Sequence, residues 1–240
     1  MYIAGFKESS LNEWEGHVSS VIWTAGCNWR CTYCHAKHII TDIDNIEKID
    51  EQVVFDYIND RSEWIDGLCI TGGEPTLQTD IVDFAKRVKE TLNIGIKLET
   101  NGSNPEVIRY LIDNELIDCL ALDFKTPIGP QLLSLNGQQG GIYEVLESFN
   151  ISFKAPIDVE YHTTLCPVYI NKQTIQEMGT FLHNKGTWIL QQYNSDNVLN
   201  IDIAGSKEFV EEEITEVLKD CRQLHSNVIL KNFNLSEDKE

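Results

Sequence analysis

Basic residues are scarce in this chain. Only 19 of its 240 residues are Lys or Arg, against 38 Asp and Glu, giving a formal charge of −19. Recognition of nucleic acid through its phosphates needs clustered Lys and Arg, so this balance argues against a nucleic-acid partner. The excess acid reads as solvated helix faces that favour solubility. No apolar run approaches the length of a membrane span, and Met1–Ser10 has no apolar signal core. The expectation is a cytoplasmic protein with no membrane partner. No low-complexity tract or linker divides the chain, and its loose stretches are 136–141, with three glycines, and the polar tail 236–240. With 42 % hydrophobic residues the chain can bury a proper core, and it is read as one domain. Residues from about 16 to 200 form its body, and 206–240 form a C-terminal helix and tail.

Seven cysteines are present, and three of them are bunched at C-x3-C-x2-C spacing: Cys27, Cys31 and Cys34. Three soft thiolate ligands in an eight-residue span can close round one metal centre. A cubane iron–sulfur cluster usually takes four cysteines, so a set of three leaves one iron open for chemistry. Zinc held by the same cysteines with His35 or His38 remains possible, although two-plus-two spacing is commoner for zinc. The run Cys31 to His35 also fits haem attachment, which belongs outside the cytoplasm. A disulfide framework fits worst, because the cysteines lack the scatter of a stapled secreted domain. Cys69, Cys119, Cys166 and Cys221 lie singly on separate elements; Cys69 and Cys119 read as small core hydrophobes. There is no second cysteine run of the kind a ferredoxin-like insert carries.

Around the cysteine run the pattern alternates between strand and helix. Strands are predicted at 18–24, 68–71, 94–99, 119–124, 159–165, 187–191 and 228–230. Helices are predicted at 51–61, 80–92, 105–114, 143–150, 172–184 and 206–224. Residues 6–17 read as a lead-in. Repeated alternation implies parallel strands joined by right-handed helical crossovers, in an α/β fold. Chemistry-bearing residues recur at strand ends, as they do on the C-terminal face of a barrel. Gly72-Gly73-Glu74-Pro75 follows one strand; paired glycines let backbone approach a ligand, and a carboxylate there can receive ammonium hydrogens. An ordinary turn would account for the glycines alone. Glu99, Thr100 and Asn101 end the next strand and suit a polar ligand or a cation. Asp123 and Lys125 share one side of the strand after that, as a ligand pair or a structural salt bridge. His162 and Gln191 stand on the later strands, and Gln191 could donate to a ribose hydroxyl.

The cysteine run, with the aromatic Tyr33 before its last cysteine, resembles the signature of the radical S-adenosylmethionine enzymes. Together with the strand-end motifs it is similar to the small activating proteins of glycyl radical enzymes, those of anaerobic ribonucleotide reductases above all. The likeness runs from about Ala4 to Tyr193. It implies an incomplete (β/α)6 TIM-like barrel with outer helices. It implies a 4Fe–4S cluster on Cys27, Cys31 and Cys34, whose open iron binds S-adenosylmethionine. It further implies cleavage to a 5′-deoxyadenosyl radical, a glycine of a partner enzyme as hydrogen source, and an electron donor such as flavodoxin. Cofactor contacts are implied at Tyr33, Gly72, Gly73, Glu74, Glu99, Thr100, Asn101, Asp123, Lys125, His162 and Gln191. The chain departs from the family pattern at Glu15, where a proline is usual, at Glu99, where aspartate is frequent, and at His162, where arginine is common. An enzyme acting on a small molecule, similar to 7-carboxy-7-deazaguanine synthase, is the alternative, with His162, Gln191 and Gln192 as substrate contacts. A zinc-stabilised binding module would leave the strand-end motifs unexplained.

Overall fold

The computed structural model describes residues 1–196 and 198–233, so the polar tail at 236–240 lies outside the described residues. The chain resolves into two compact units. One comprises Met1–Trp29, Ala36–Leu122 and Tyr143–Val159; the other comprises Arg30–His35, Asp123–Ile142 and the described residues from Glu160 onward.

In the first unit the strands run in chain order: β1 (Ile3–Ser10), β2 (Ser19–Thr24), β3 (Gly67–Gly72), β4 (Gly95–Thr100) and β5 (Cys119–Asp123). From β2 onward each neighbour is parallel. The first strand is the exception, because β1 pairs antiparallel with β2. The expected lead-in therefore begins as a strand. Its half-exposed, polar side chains are those of an edge strand, which carry no core-forming alternation to read. Between the strands lie α1 (Lys37–Thr41), α2 (Glu51–Asn59), α3 (Ile81–Leu92) and α4 (Pro105–Asp113). The apolar spacing of α3 translates directly into burial of Ile81, Phe84, Ala85 and Val88. Pro105 opens α4 at the position where its missing N–H has no helical partner to lose. Trp14, Val21, Cys69 and Cys119 form a buried cluster against which Trp23 packs. Both thiols are thus core hydrophobes, and burial pushes the Cys69 thiol up to about 12.

The second unit holds α5 (Pro130–Leu135), then β6 (Asp158–Thr164) from its third residue, α7 (Lys172–Leu182), β7 (Thr187–Gln191), α8 (Glu211–Leu224) and β8 (Val228–Lys231). The intervening helix α6 (Ile142–Ser152) belongs almost wholly to the first unit. The strands β6, β7 and β8 are parallel neighbours. The indole Nε1 of Trp188 donates to Thr163 Oγ1 at 2.9 Å, so the largest core side chain of β7 is satisfied from β6. The last helix starts at Glu211, not Ser206, and its first turn is three glutamates, Glu211 to Glu213. Acidic residues suit the positive end of a helix, which explains why the helix waits for them. The stretch 136–141 is also not loose: Asn136 is buried, accepts Arg30 N–H on its carbonyl at 3.0 Å, and donates from Nδ2 to Gly140 O at 2.9 Å.

The N-terminus of α7 is closed by a reciprocal pair. Asn171 Oδ1 accepts Thr174 N–H at 3.1 Å, and Thr174 Oγ1 accepts Asn171 N–H at 2.8 Å. Asn171→Ala is expected to lower stability by about 1 kcal/mol in urea unfolding. Asn171→Asp, which keeps the acceptor, should stay within a few tenths of the parent.

Candidate active site

The motif residues assemble separately in the two units. In the first, the end of β3 presses on the backbone that leads into the cysteine run. Gly72 has φ +123°, and a side chain on Gly73 would stand 1.8 Å from Gly26 O. Gly73 N–H donates to Thr24 O at 2.9 Å and Glu74 N–H to Gly26 O at 2.8 Å. The glycines are therefore required by backbone-to-backbone contact, one residue before Cys27.

Glu74 is 0 % exposed. Its Oε1 accepts the backbone N–H and the hydroxyl of Thr76 and the hydroxyl of Thr100, at 3.1, 2.6 and 2.6 Å. Its Oε2 accepts Asn101 N–H at 2.8 Å. Burial pushes the Glu74 carboxyl above the usual range, while the bonds from Thr100, Thr76 and Asn101 pull back toward the anion. The sequence suggested that this carboxylate is available to an ammonium group. Instead, both oxygens are taken up by the protein's own donors, and they tie the end of β4 to the end of β3. Asn101 continues the chain of contacts. Its Nδ2 donates to Asn28 Oδ1 at 3.0 Å and approaches Cys27 Sγ at 3.9 Å. Trp29 N–H donates to the same sulfur at 3.3 Å. Glu99 remains partly exposed at the strand end.

The second unit holds the rest of the cysteine loop. Arg30 N–H and Thr32 N–H donate to Asn136 O and Leu135 O, each at 3.0 Å, and Asn200 N–H donates to Thr32 O at 2.9 Å. Thr32 Oγ1 and Tyr169 OH share a hydrogen bond of 2.8 Å. Lys125 Nζ lies 2.8 Å from Asp123 Oδ2 and 5.8 Å from the centre of the Tyr33 ring. Burial works against its charge, but Asp123, then Tyr33 and Cys31, outweigh that and hold Lys125 well above the usual lysine range. Burial likewise pushes the Tyr33 phenol upward, with Lys125 opposing. The edges of Tyr169 and Tyr193 meet the Tyr33 ring at centroid distances of 6.2 and 6.3 Å.

His162 is 4 % exposed. Its Nε2 is 2.6 Å from Glu160 Oε2, and its Nδ1 is 3.5 Å from Gln191 Nε2. The two predicted residues thus stand in direct contact, and the other ring nitrogen of His162 is held by Glu160, which the sequence reading passed over. The signal was available: residues 160 and 162 lie two apart on one strand and so share a face. Asn28, Thr76 and Tyr169 were also missed. Asn28 and Tyr169 act through partners distant in sequence, Asn101 and Thr32, and Thr76 matters only because Glu74 is buried, which no local pattern reveals.

None of the seven cysteines forms a disulfide. Among the described residues no three His, Cys, Asp or Glu side chains form a ready metal-holding group. The fit to an iron–sulfur cluster rests instead on three observations. Three thiols stand on one short loop, that loop is fixed by backbone bonds at Arg30 and Thr32, and backbone N–H points at Cys27 Sγ.

The model of the Radical SAM superfamily matches residues 21–183. The chain belongs to this superfamily. The match spans the cysteine run and every strand-end motif up to His162. A candidate glycyl-radical enzyme activating enzyme of Methanocaldococcus jannaschii is 27 % identical over 236 residues, 97 % of this chain and 96 % of that protein. A 7-carboxy-7-deazaguanine synthase of Clostridium acetobutylicum is 32 % identical over 112 residues, 47 % of this chain and 49 % of that one. Among solved structures, Streptococcus suis SuiB bound to S-adenosylmethionine superposes with a TM-score of 0.66 at 15 % identity, covering 89 % of this chain. This chain spans half the length of SuiB. The fold is therefore the TIM-like α/β fold of radical S-adenosylmethionine enzymes, and the family's cofactors are a 4Fe–4S cluster and S-adenosylmethionine.

Glu74→Gln would turn an amide NH2 toward donors. It is expected to cost about 1–3 kcal/mol of stability, measured by denaturant unfolding. Gly73→Ala should be less tolerated still, giving a lower yield of folded protein, because the added methyl meets backbone and not a movable side chain.

Proposed function

We propose that this protein is an activase for a glycyl radical enzyme, with an anaerobic ribonucleotide reductase as partner. The observation that supports the reading is the match of nearly the whole chain, 97 %, with 96 % of a candidate activating enzyme. In this reading the substrate is a backbone glycine of a protein partner. When bound, the cluster and S-adenosylmethionine would supply the radical chemistry: one electron from flavodoxin or a similar donor would release methionine and a 5′-deoxyadenosyl group, and hydrogen from a partner's backbone glycine would give 5′-deoxyadenosine. Cys27, Cys31 and Cys34 would hold three irons and leave the fourth open. The pair Asp123–Lys125 presents a fixed ammonium and a carboxylate to the polar groups of S-adenosylmethionine. Glu99, Thr100 and Asn101 form a second motif at the end of β4, with Asn101 also orienting the loop at Cys27. Throughout, the residues bind and orient while the cofactor carries the radical chemistry.

The second reading, an enzyme acting on a small molecule as a 7-carboxy-7-deazaguanine synthase does, is favoured by one feature. Glu160, His162 and Gln191 form a buried hydrogen-bonded group of a kind that could address a polar substrate.

Anaerobic reconstitution with iron and sulfide, reduction, and addition of S-adenosylmethionine should produce 5′-deoxyadenosine, detected by chromatography. Cys31→Ala should lose this product by more than about a hundredfold, as expected when a metal ligand is removed. With the reductase of the same cell added, electron paramagnetic resonance should show a glycyl radical on the partner. Product without that signal, and turnover of a small substrate in the absence of any protein partner, would replace the activase with the second reading.

A further inference from the structure

Glu160, His162 and Gln191 are bonded in a fixed direction. They lie on two neighbouring parallel strands, with His162 opposite Ile189 and Thr164 opposite Gln191. Glu160 and His162 share one face of β6. The other face carries Thr163 and Trp188, which bond to each other. His162 is buried, whereas Gln191, the last residue of β7, is partly exposed. The chain of contacts therefore runs from within the sheet to the C-terminal end of a strand.

A carboxylate oxygen only accepts, so Glu160 Oε2, 2.6 Å away, requires the proton on His162 Nε2. An amide nitrogen only donates, so Gln191 Nε2, 3.5 Å from His162 Nδ1, requires a lone pair there. Both neighbours demand the same neutral tautomer of the ring. A proton on Nδ1 would instead turn donor against donor. With its nitrogen directed at the ring, the Gln191 amide keeps Oε1 for a further donor, and no described residue supplies one. We propose that Glu160 is a positioning residue: through His162 it orients the Gln191 amide so that its carbonyl oxygen accepts an N–H or O–H of a bound ligand. This reverses the expectation that Gln191 donates to a ribose hydroxyl. Two reactants carry such donors: S-adenosylmethionine in its hydroxyls and amines, and a protein partner in its backbone N–H groups. The second source rests on the activase reading; the role of Glu160 does not.

The oxidised holoenzyme labelled with 15N-histidine reports the tautomer, the His162 signals being those lost in His162→Asn. Nε2 is expected to be protonated and Nδ1 bare; a proton on Nδ1 would overturn the proposal. Glu160→Leu removes the acceptor, and Glu160→Gln keeps an amide oxygen that can still take the Nε2 proton. In Glu160→Leu the proton should be shared between the two ring nitrogens, and binding of one reactant should weaken by about tenfold, one hydrogen bond's worth. Glu160→Gln should recover most of both. A loss seen in equilibrium dialysis of S-adenosylmethionine assigns the donor to the cofactor. An unchanged dialysis constant with a raised KM for the partner assigns it to the partner's backbone. Both constants unchanged would overturn the proposal. If the wild type raises no radical on the partner, the activase reading fails by itself, and the nitrogen spectrum with the dialysis constant decides the role of Glu160. Should Glu160→Leu lose its cluster, Gln191→Met takes its place in the binding measurements while the wild-type spectrum still tests the tautomer.

Discussion

A buried carboxylate, that of Glu74, holds the motif-bearing ends of β3 and β4 together. Four donors from Thr76, Thr100 and Asn101 converge on its two oxygens, and the side chain is fully enclosed. Such a group is stable only if every bond is made, because its desolvation is large and non-negotiable. The arrangement thereby fixes where Asn101 stands, and Asn101 in turn reaches Asn28 and the neighbourhood of Cys27 Sγ. Two strand ends and the start of the cysteine run are set by one anion-binding network. Gly72 and Gly73 make it possible by removing every atom that would keep β3 from the backbone of Gly26.

The second unit secures the remaining part of the cysteine loop differently, through backbone bonds and aromatic packing. Arg30 and Thr32 are anchored on the end of α5 and the turn that follows it, so a segment that looks unstructured in sequence supports the loop. Around Tyr33, a charged pair and two further tyrosines build a wall that is rigid yet leaves one hydroxyl without a partner. The two regions differ: both Glu74 oxygens are matched by protein donors, whereas the Tyr33 hydroxyl has no hydrogen-bond partner among the described residues.

Much of this was legible from local pattern. The alternation of apolar runs located the parallel strands, since a buried strand of Val, Ile and Leu between helical spacings has few other readings. The cysteine run was legible because three thiols in one short loop are close by covalent geometry alone. What escaped was what depends on long-range pairing. β1 is an edge strand whose register comes from β2, not from its own composition. The start of α8 was misplaced by five residues because the helix end is decided by capping and charge, not by apolar period. Glu160 was passed over because its importance appears only once His162 is seen to be buried.

The sequence by itself determined the class of fold, through the alternation of strand and helix, and it placed three thiols within one short loop. It also named nearly all the residues of the motifs. Only the tertiary structure decided what those residues do. It turned Glu74 from a free carboxylate into the centre of an internal network, set His162 between Glu160 and Gln191, and left Tyr33 OH as the unmatched donor among the described residues. The physical reason is that a polar side chain's role is set by which partners satisfy it, and the deciding ones, Thr100 and Asn101 for Glu74 and Gln191 for His162, lie 26 to 29 residues away in the chain.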